Sequence, residues 1–292
     1  MLYEFPYAFF VVMRTTLTTI RKNLQAEGAT QKIKRAEDDM PKTKTTAKEE
    51  FQATVDTNLK QFDELKEKFS LEKSEELHPD LIEHIDEAGP LGAFLKHPVI
   101  FFAHYDEVFN AQINAMYKQK KKQTTQALKV KDWTHWVWLH ERPYRLDAFM
   151  LICKDMDSAE YWNLLKNVWI DAEFPGINQE IWIQLFTRKY PKRRKIMNGK
   201  ERRTLAMLPK TNIDIFRGYH GDQYQKGISW TISYETAQWF AKRFAGDDAT
   251  EETLVAEAVC NKKDVLAYFN EREESEIIVD PSNITIRRAQ PA

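Results

Sequence analysis

The chain has 292 residues, of which 42% are hydrophobic and 30% charged, enough apolar material for one large domain or two ordinary ones. Its formal net charge is -1, so the distribution of charge along the chain carries more information than the total. The two cysteines, Cys153 and Cys260, have no metal-type spacing, which speaks against a disulfide framework and a zinc site and for a reducing, cytoplasmic compartment.

The apolar run from Tyr7 to Met13 lacks preceding basic residues and a small-residue cleavage site, and is too short to span a bilayer. It reads as a buried or partner-bound segment, or as the product of a start codon set upstream of Met13 or Met40, and no membrane association is expected. Residues 21–50 are rich in Lys, Glu, Thr and Ala and poor in large apolar side chains, so residues 1–50 are expected to be an N-terminal segment and linker. From Phe51, the positions Val55, Leu59, Phe62, Leu65 and Phe69 form one stripe of an amphipathic helix. Between Pro79 and Lys122 the pattern continues as helix, with Pro79, Pro90 and Pro98 placed as helix starts and Gly89 as a helix end.

Six of the eight tryptophans fall between Asp132 and Trp182. Tyr161, Leu164, Leu165, Val168 and Trp169 recur at helical spacing behind a Ser158 cap, which assigns these rings to a core rather than to a base-stacking surface. Residues 188–203 then hold nine basic residues, Arg188, Lys189, Lys192, Arg193, Arg194, Lys195, Lys200, Arg202 and Arg203, against the single acid Glu201. Such a run is either a solvated face or a phosphate-binding surface that releases counterions from a nucleic acid. Lys118, Lys120, Lys121 and Lys122 form a lesser cluster. Residues 205–292 carry ten basic and fourteen acidic groups, and this shift sets a domain boundary near residue 205, with a helical, Trp-rich domain at 51–205.

After Pro209 the pattern changes to short β-type runs at 213–216, 228–232, 254–259, 265–269, 276–279 and 284–286. One helix interrupts them, from Tyr234 to Phe244, capped by Ser233 and burying Ala237, Phe240, Ala241 and Phe244, with Trp239 also assigned to the core. The fold class is therefore α+β: a mostly helical N-terminal domain followed by a mixed module at 206–292.

Three short motifs occur in that module. Phe216-Arg217-Gly218-Tyr219 ends the first run, Gly227-Ile228-Ser229-Trp230-Thr231 forms the second and is followed by Phe240-Ala241, and Glu274-Ser275-Glu276 opens the apolar run Ile277-Ile278-Val279. In this order and context they resemble the Arg-Gly, Ser-Thr-Ser and Glu-x-Glu motifs of mono-ADP-ribosyltransferases of the arginine, serine, glutamate type. The resemblance covers about residues 210–287. Ser229 lies only twelve positions after Arg217, and Trp230 stands where the family has threonine.

The resemblance implies an ADP-ribosyltransferase fold, NAD as substrate, and Arg217, Ser229, Glu274 and Glu276 as catalytic residues. It further implies NAD contacts from Arg217, Gly218, Tyr219, Ser229, Trp230 and Thr231, with Trp230, Tyr219 and Tyr224 all open as the ring that stacks on nicotinamide. Chemistry agrees with the residue types. A pyrophosphate needs a fixed cation, Gly218 would let the backbone approach the ligand, and a carboxylate lowers the barrier to an oxocarbenium-like ribosyl cation. Residues two apart in an extended segment share a side, which would put Glu274 and Glu276 in one cleft; the pair Glu271 and Glu273 has equal spacing but no apolar run directly after it. The expected protein is a toxin-like or defence enzyme without a metal. It would modify a nucleic acid bound at Arg188–Arg203, or a protein arginine, and meet an antitoxin or other regulator through its N-terminal half. The rival expectation is a non-catalytic module that binds NAD or a partner.

Overall fold

The computed structural model describes residues 75–87, 93–173, 175–221, 224–243 and 252–292, together with Lys60, Glu64 and Glu67. The apolar run at 7–13, the charged segment at 21–50 and the stripe from Val55 to Phe69 fall outside the described residues, as do Gly89, Pro90 and Phe244. The chain divides into two units between Gln126 and Ala127.

The first unit holds α1 (Pro79–Ile82), a three-stranded antiparallel sheet of β1 (Ile85–Asp86), β2 (Phe94–His97) and β3 (Ile100–Phe102), and most of α2 (Asn110–Lys129). Pro79 opens a helix as expected, but Pro98 sits in the two-residue turn between β2 and β3. The helical pattern expected between Pro79 and Lys122 is thus replaced at 85–86, 94–97 and 100–102 by strands. Period-two burial explains the difference: Leu95, Ile100 and Phe102 point inward while Lys96 and Phe101 are exposed. These side chains meet Ile113 and Tyr117 of α2 in a single core.

The second unit combines helices and sheet. Its helices are α3 (Trp133–Leu139), α4 (Arg145–Ile152), α5 (Ser158–Asp171), α6 (Gln179–Thr187) and α7 (Gly199–Met207). Asp157, not Ser158, caps α5, in a reciprocal capping box with Glu160. Then come β4 (Ile213–His220), β5 (Ser229–Thr231), α8 (Tyr234–Arg243), β6 (Thr253–Cys260), β7 (Val265–Phe269), β8 (Glu276–Val279) and β9 (Thr285–Pro291). The six strands form one sheet in the order β7-β8-β5-β4-β6-β9, every neighbouring pair antiparallel. Helix and sheet are mixed, with the larger sheet in the C-terminal half.

The boundary expected near residue 205 falls inside this unit. Trp162, Leu165, Val168, Trp169, Trp182 and Phe186 from the helices share one core with Ile228, Ala267, Phe269 and Ile278 from the sheet. Neither set buries its apolar face without the other, so the change of hydrophobic period near Pro209 marks a change of element type within one packed body. Trp133, Trp162, Trp169 and Trp182 are core residues, as their spacing indicated. Trp239 is not: it is 48% exposed on α8, against Phe240 and under the Arg243 guanidinium.

Candidate active site

Arg217, Ser229 and Glu276 lie on β4, β5 and β8, three consecutive strands of the sheet. The register β5 to β8 pairs Thr231 with Glu276 and Ser229 with Ile278, so Ser229, Thr231 and Glu276 share one face. Hydrogen bonds then join all three motif residues through Ser229. Its hydroxyl donates to Glu276 Oε1 at 2.6 Å, and its backbone carbonyl accepts from Arg217 Nη1 at 2.6 Å. A second carbonyl, that of Tyr224, accepts from Arg217 Nε at 2.9 Å. Two of the five guanidinium N–H groups are engaged in these bonds.

Glu276 is buried and held from several directions. Besides Ser229, Trp169 of α5 donates its indole N–H to both carboxylate oxygens at 3.2 Å, and Arg272 Nη2 lies 3.7 Å from Oε2. Burial pushes the carboxyl above the ordinary glutamate range, while Ser229, Arg272 and Trp169 pull it down and Glu274 adds a smaller upward push. Arg217 shows the complementary effect: burial lowers it to about 10, with the charge of Glu276 opposing. A guanidinium at that value stays charged at neutral pH.

Glu274 and Glu276 are brought together by Arg272, whose Nη2 binds Glu274 Oε2 at 2.8 Å. The expected cause, extended backbone, does not apply before β8. Glu273 and Ser275 both have left-handed backbone, at φ 60° and 47°, in a turn whose Asn270 Oδ1 accepts from Ser275 N. Glu271 of the rival pair is bound by Lys166 Nζ at 2.7 Å, and Glu273 is exposed. Lys166 is itself buried against Glu201, at 3.1 and 2.9 Å, and Glu201 also accepts from the backbone N–H groups of Asn198 and Asn270. Removing one member of such a buried ionic group costs about 3–5 kcal/mol, because the partner charge is left without compensation.

No protein-family model, curated protein or solved structure matches the chain.

The remaining motif residues have structural surroundings. Gly218 permits close approach of the α8 backbone, since a Cβ there would overlap the Ala237 carbonyl and the Ala241 amide. Tyr219 and Trp230 are buried in the core of β4, β6 and β8; Gln225 Nε2 donates to the Tyr219 hydroxyl at 3.3 Å and Trp230 Nε1 donates to the Gly227 carbonyl at 2.7 Å. Thr231 Oγ1 donates to the Glu274 carbonyl at 2.7 Å, tying β5 to the turn that carries the acid pair. Of the three rings open for stacking, Tyr224 alone is exposed.

The recess lined by Ile170, Phe269, Glu271, Arg272, Glu274 and Glu276 is too narrow in this conformation to admit a water molecule. A cavity of about 440 Å³ lies elsewhere, between Asp214, Phe216, Tyr234, Glu257, Arg287, Arg288 and Gln290. Its polar groups bind one another: Arg288 pairs with Glu257 through two bonds of 2.7 Å, Arg287 with Asp214, and Gln290 donates to the Tyr234 hydroxyl.

The basic run divides in two. Arg188 donates to Cys153 Sγ and lies over the Tyr190 ring, Arg193 donates to the Leu266 carbonyl, and Arg202 donates to the carbonyls of Arg194 and Met197. Lys189, Lys192, Arg194, Lys195, Lys200 and Arg203 are exposed. In the lesser cluster Lys121 binds Asp80 at 2.7 Å. Both cysteines are buried thiols, and burial raises Cys260 to about 11. Among the described residues no group of three or more His, Cys, Asp or Glu side chains is placed to hold a metal ion, and no helix is long and apolar enough to cross a membrane.

Sequence reasoning missed Trp169, Arg272 and Gly227. Arg272 had a signal, as a lone cation inside the acidic run Glu271 to Glu276 and four residues before the candidate carboxylate. Trp169 had none, because 107 residues separate it from Glu276.

Proposed function

We propose that the second unit is a mono-ADP-ribosyltransferase with an ADP-ribosyltransferase-like sheet, moving ADP-ribose from NAD to a macromolecular acceptor. The observation that carries this reading is the chain of contacts from Arg217 through Ser229 to Glu276 across three neighbouring strands.

In the proposed reaction the uncommitted N–H groups of Arg217 bind the NAD pyrophosphate. As the bond from ribose to nicotinamide breaks, its electron pair leaves with nicotinamide, and the ionised Glu276 stabilises the positive charge left on the ribose. Glu274 receives the acceptor's proton as its nucleophile bonds to the ribosyl carbon. The exposed Lys189, Lys192, Arg194, Lys195, Lys200 and Arg203 favour a nucleic acid over a protein arginine as acceptor. A toxin-like or defence role, with a regulator bound by the first unit, fits an activity that would need restraint.

The narrow recess beside Glu276 favours the rival reading, a non-catalytic module. Nicotinamide release from NAD, followed by chromatography, separates the two. The intact chain should release nicotinamide, and Glu276→Gln should lose on the order of 10²-fold while calorimetry still detects NAD binding. Glu274→Gln should hydrolyse NAD slowly while losing transfer to the acceptor. No release with any nucleic acid or protein acceptor would leave the non-catalytic module.

A further inference from the structure

The last turns of α5 lie along the turn that joins β7 to β8, and three residues on one side of the helix reach that turn in succession. Lys166 Nζ binds Glu271, Trp169 Nε1 donates to Glu276, and the Ile170 carbonyl accepts from Arg272 Nη1 at 2.9 Å. The spacing from 166 to 169 and 170 is that of one helical face. All three contacts thus set the geometry of the segment that carries the candidate acid pair.

We propose that Trp169 is a positioning residue for Glu276: its indole N–H, shared between both carboxylate oxygens, fixes their orientation and favours the ionised form. The role rests on the proposed catalytic function of Glu276. Other groups act on the same carboxylate. Ser229 of β5 donates to Oε1, Arg217 of β4 and Arg272 of the turn add positive charge, and Glu274 of the turn adds negative charge. Glu271, the other acid lining this recess, is bound by Lys166 of α5, which it shares with Glu201. Trp169 differs from them all in being an uncharged group that donates and cannot accept. Its ring is clamped edge-on by Trp182 at 5.0 Å and Phe186 at 5.3 Å, so core packing decides where the N–H points. Arg272, by contrast, is partly exposed and its effect is screened by salt.

The test uses the full chain with carbon-13-labelled glutamate, the Glu276 signal being assigned by its loss in Glu276→Gln. In Trp169→Phe, which keeps a ring but removes the donor, the Glu276 pKa should rise by roughly one unit or more, since a hydrogen bond to the charged form is removed. The acidic limb of nicotinamide release should move up by the same amount, and kcat at neutral pH should fall about tenfold with KM for NAD unchanged. Trp162→Phe, which removes another buried indole of α5 whose N–H goes to the Pro191 carbonyl, should change neither. A Glu276 titration identical in all three chains overturns the proposal. If Glu276 shifts but no chain releases nicotinamide, the pairing stands and the catalytic reading falls. Should Trp169→Phe not fold, the unaltered chain still decides: the Trp169 indole proton must follow the Glu276 titration and cease to do so in Glu276→Gln, and a signal indifferent to Glu276 overturns the proposal.

Discussion

The guanidinium of Arg217 lies directly over Gly227, where an added Cβ would come within 2.6 Å of both Nη1 and Nη2. No side chain fits there without displacing the arginine from the carbonyls of Tyr224 and Ser229. Gly227→Ala should therefore weaken NAD binding by on the order of tenfold, the effect expected when one charge-assisted hydrogen bond is misdirected. Isothermal calorimetry measures it directly, and unchanged affinity would show that Arg217 does not bind the substrate from this position.

Gly218 faces backbone rather than a side chain. Its neighbours, the Ala237 carbonyl and Ala241 amide of α8, cannot rotate away, so Gly218→Ala must separate helix from strand. A destabilisation of at least about 1–3 kcal/mol is expected, as for other overpacked cores. Urea unfolding should show a lower midpoint, and a midpoint equal to that of the parent would contradict the close approach of helix to strand.

The raised Glu276 pKa makes a prediction about stability that is independent of any activity. A carboxyl whose folded pKa lies above its ordinary value of 4.5 binds more protons in the folded than in the unfolded chain between the two values. Its contribution is most favourable below the unfolded pKa and is lost as pH rises through the folded one. Glu276→Gln removes that dependence. The variant should be more stable than the parent at neutral pH, and the difference should shrink as pH falls toward about 4. Chemical unfolding at several pH values checks this, and a difference that grows with acidity would reverse the sign assigned to Glu276.

Reversing Lys189, Lys192, Arg194 and Lys195 should weaken nucleic-acid binding and flatten its salt dependence by roughly 0.9 in slope for each phosphate no longer neutralised. Folding should be little affected, because these side chains are exposed. Reversing Arg193, which donates to the Leu266 carbonyl, should instead destabilise the chain. Filter binding across salt concentrations and thermal unfolding distinguish the two effects; unaltered binding by the fourfold variant at every salt concentration would leave the run as a solvated face.

Local pattern determined much of the second unit. The runs at 265–269 and 276–279 emerge as β7 and β8 with those bounds, and the helix behind Ser233 begins where a cap acceptor and a buried stripe require it. These features follow from period-two and period-3.6 alternation, which neighbouring residues impose on one another. The motif residues Arg217, Ser229 and Glu276 were likewise legible, through order and context. Their juxtaposition was not. Strand order brings β8 beside β5 although α8, β6 and β7 intervene in sequence, and only long-range pairing decides it. Packing also decided that helices α3 to α6 share a core with the sheet, that Trp239 stays exposed, and that Trp169 reaches Glu276 across 107 residues. A buried carboxylate requires donors from whatever surrounds it in space, and the sequence near Glu276 carries no mark of an indole supplied by a helix so far away.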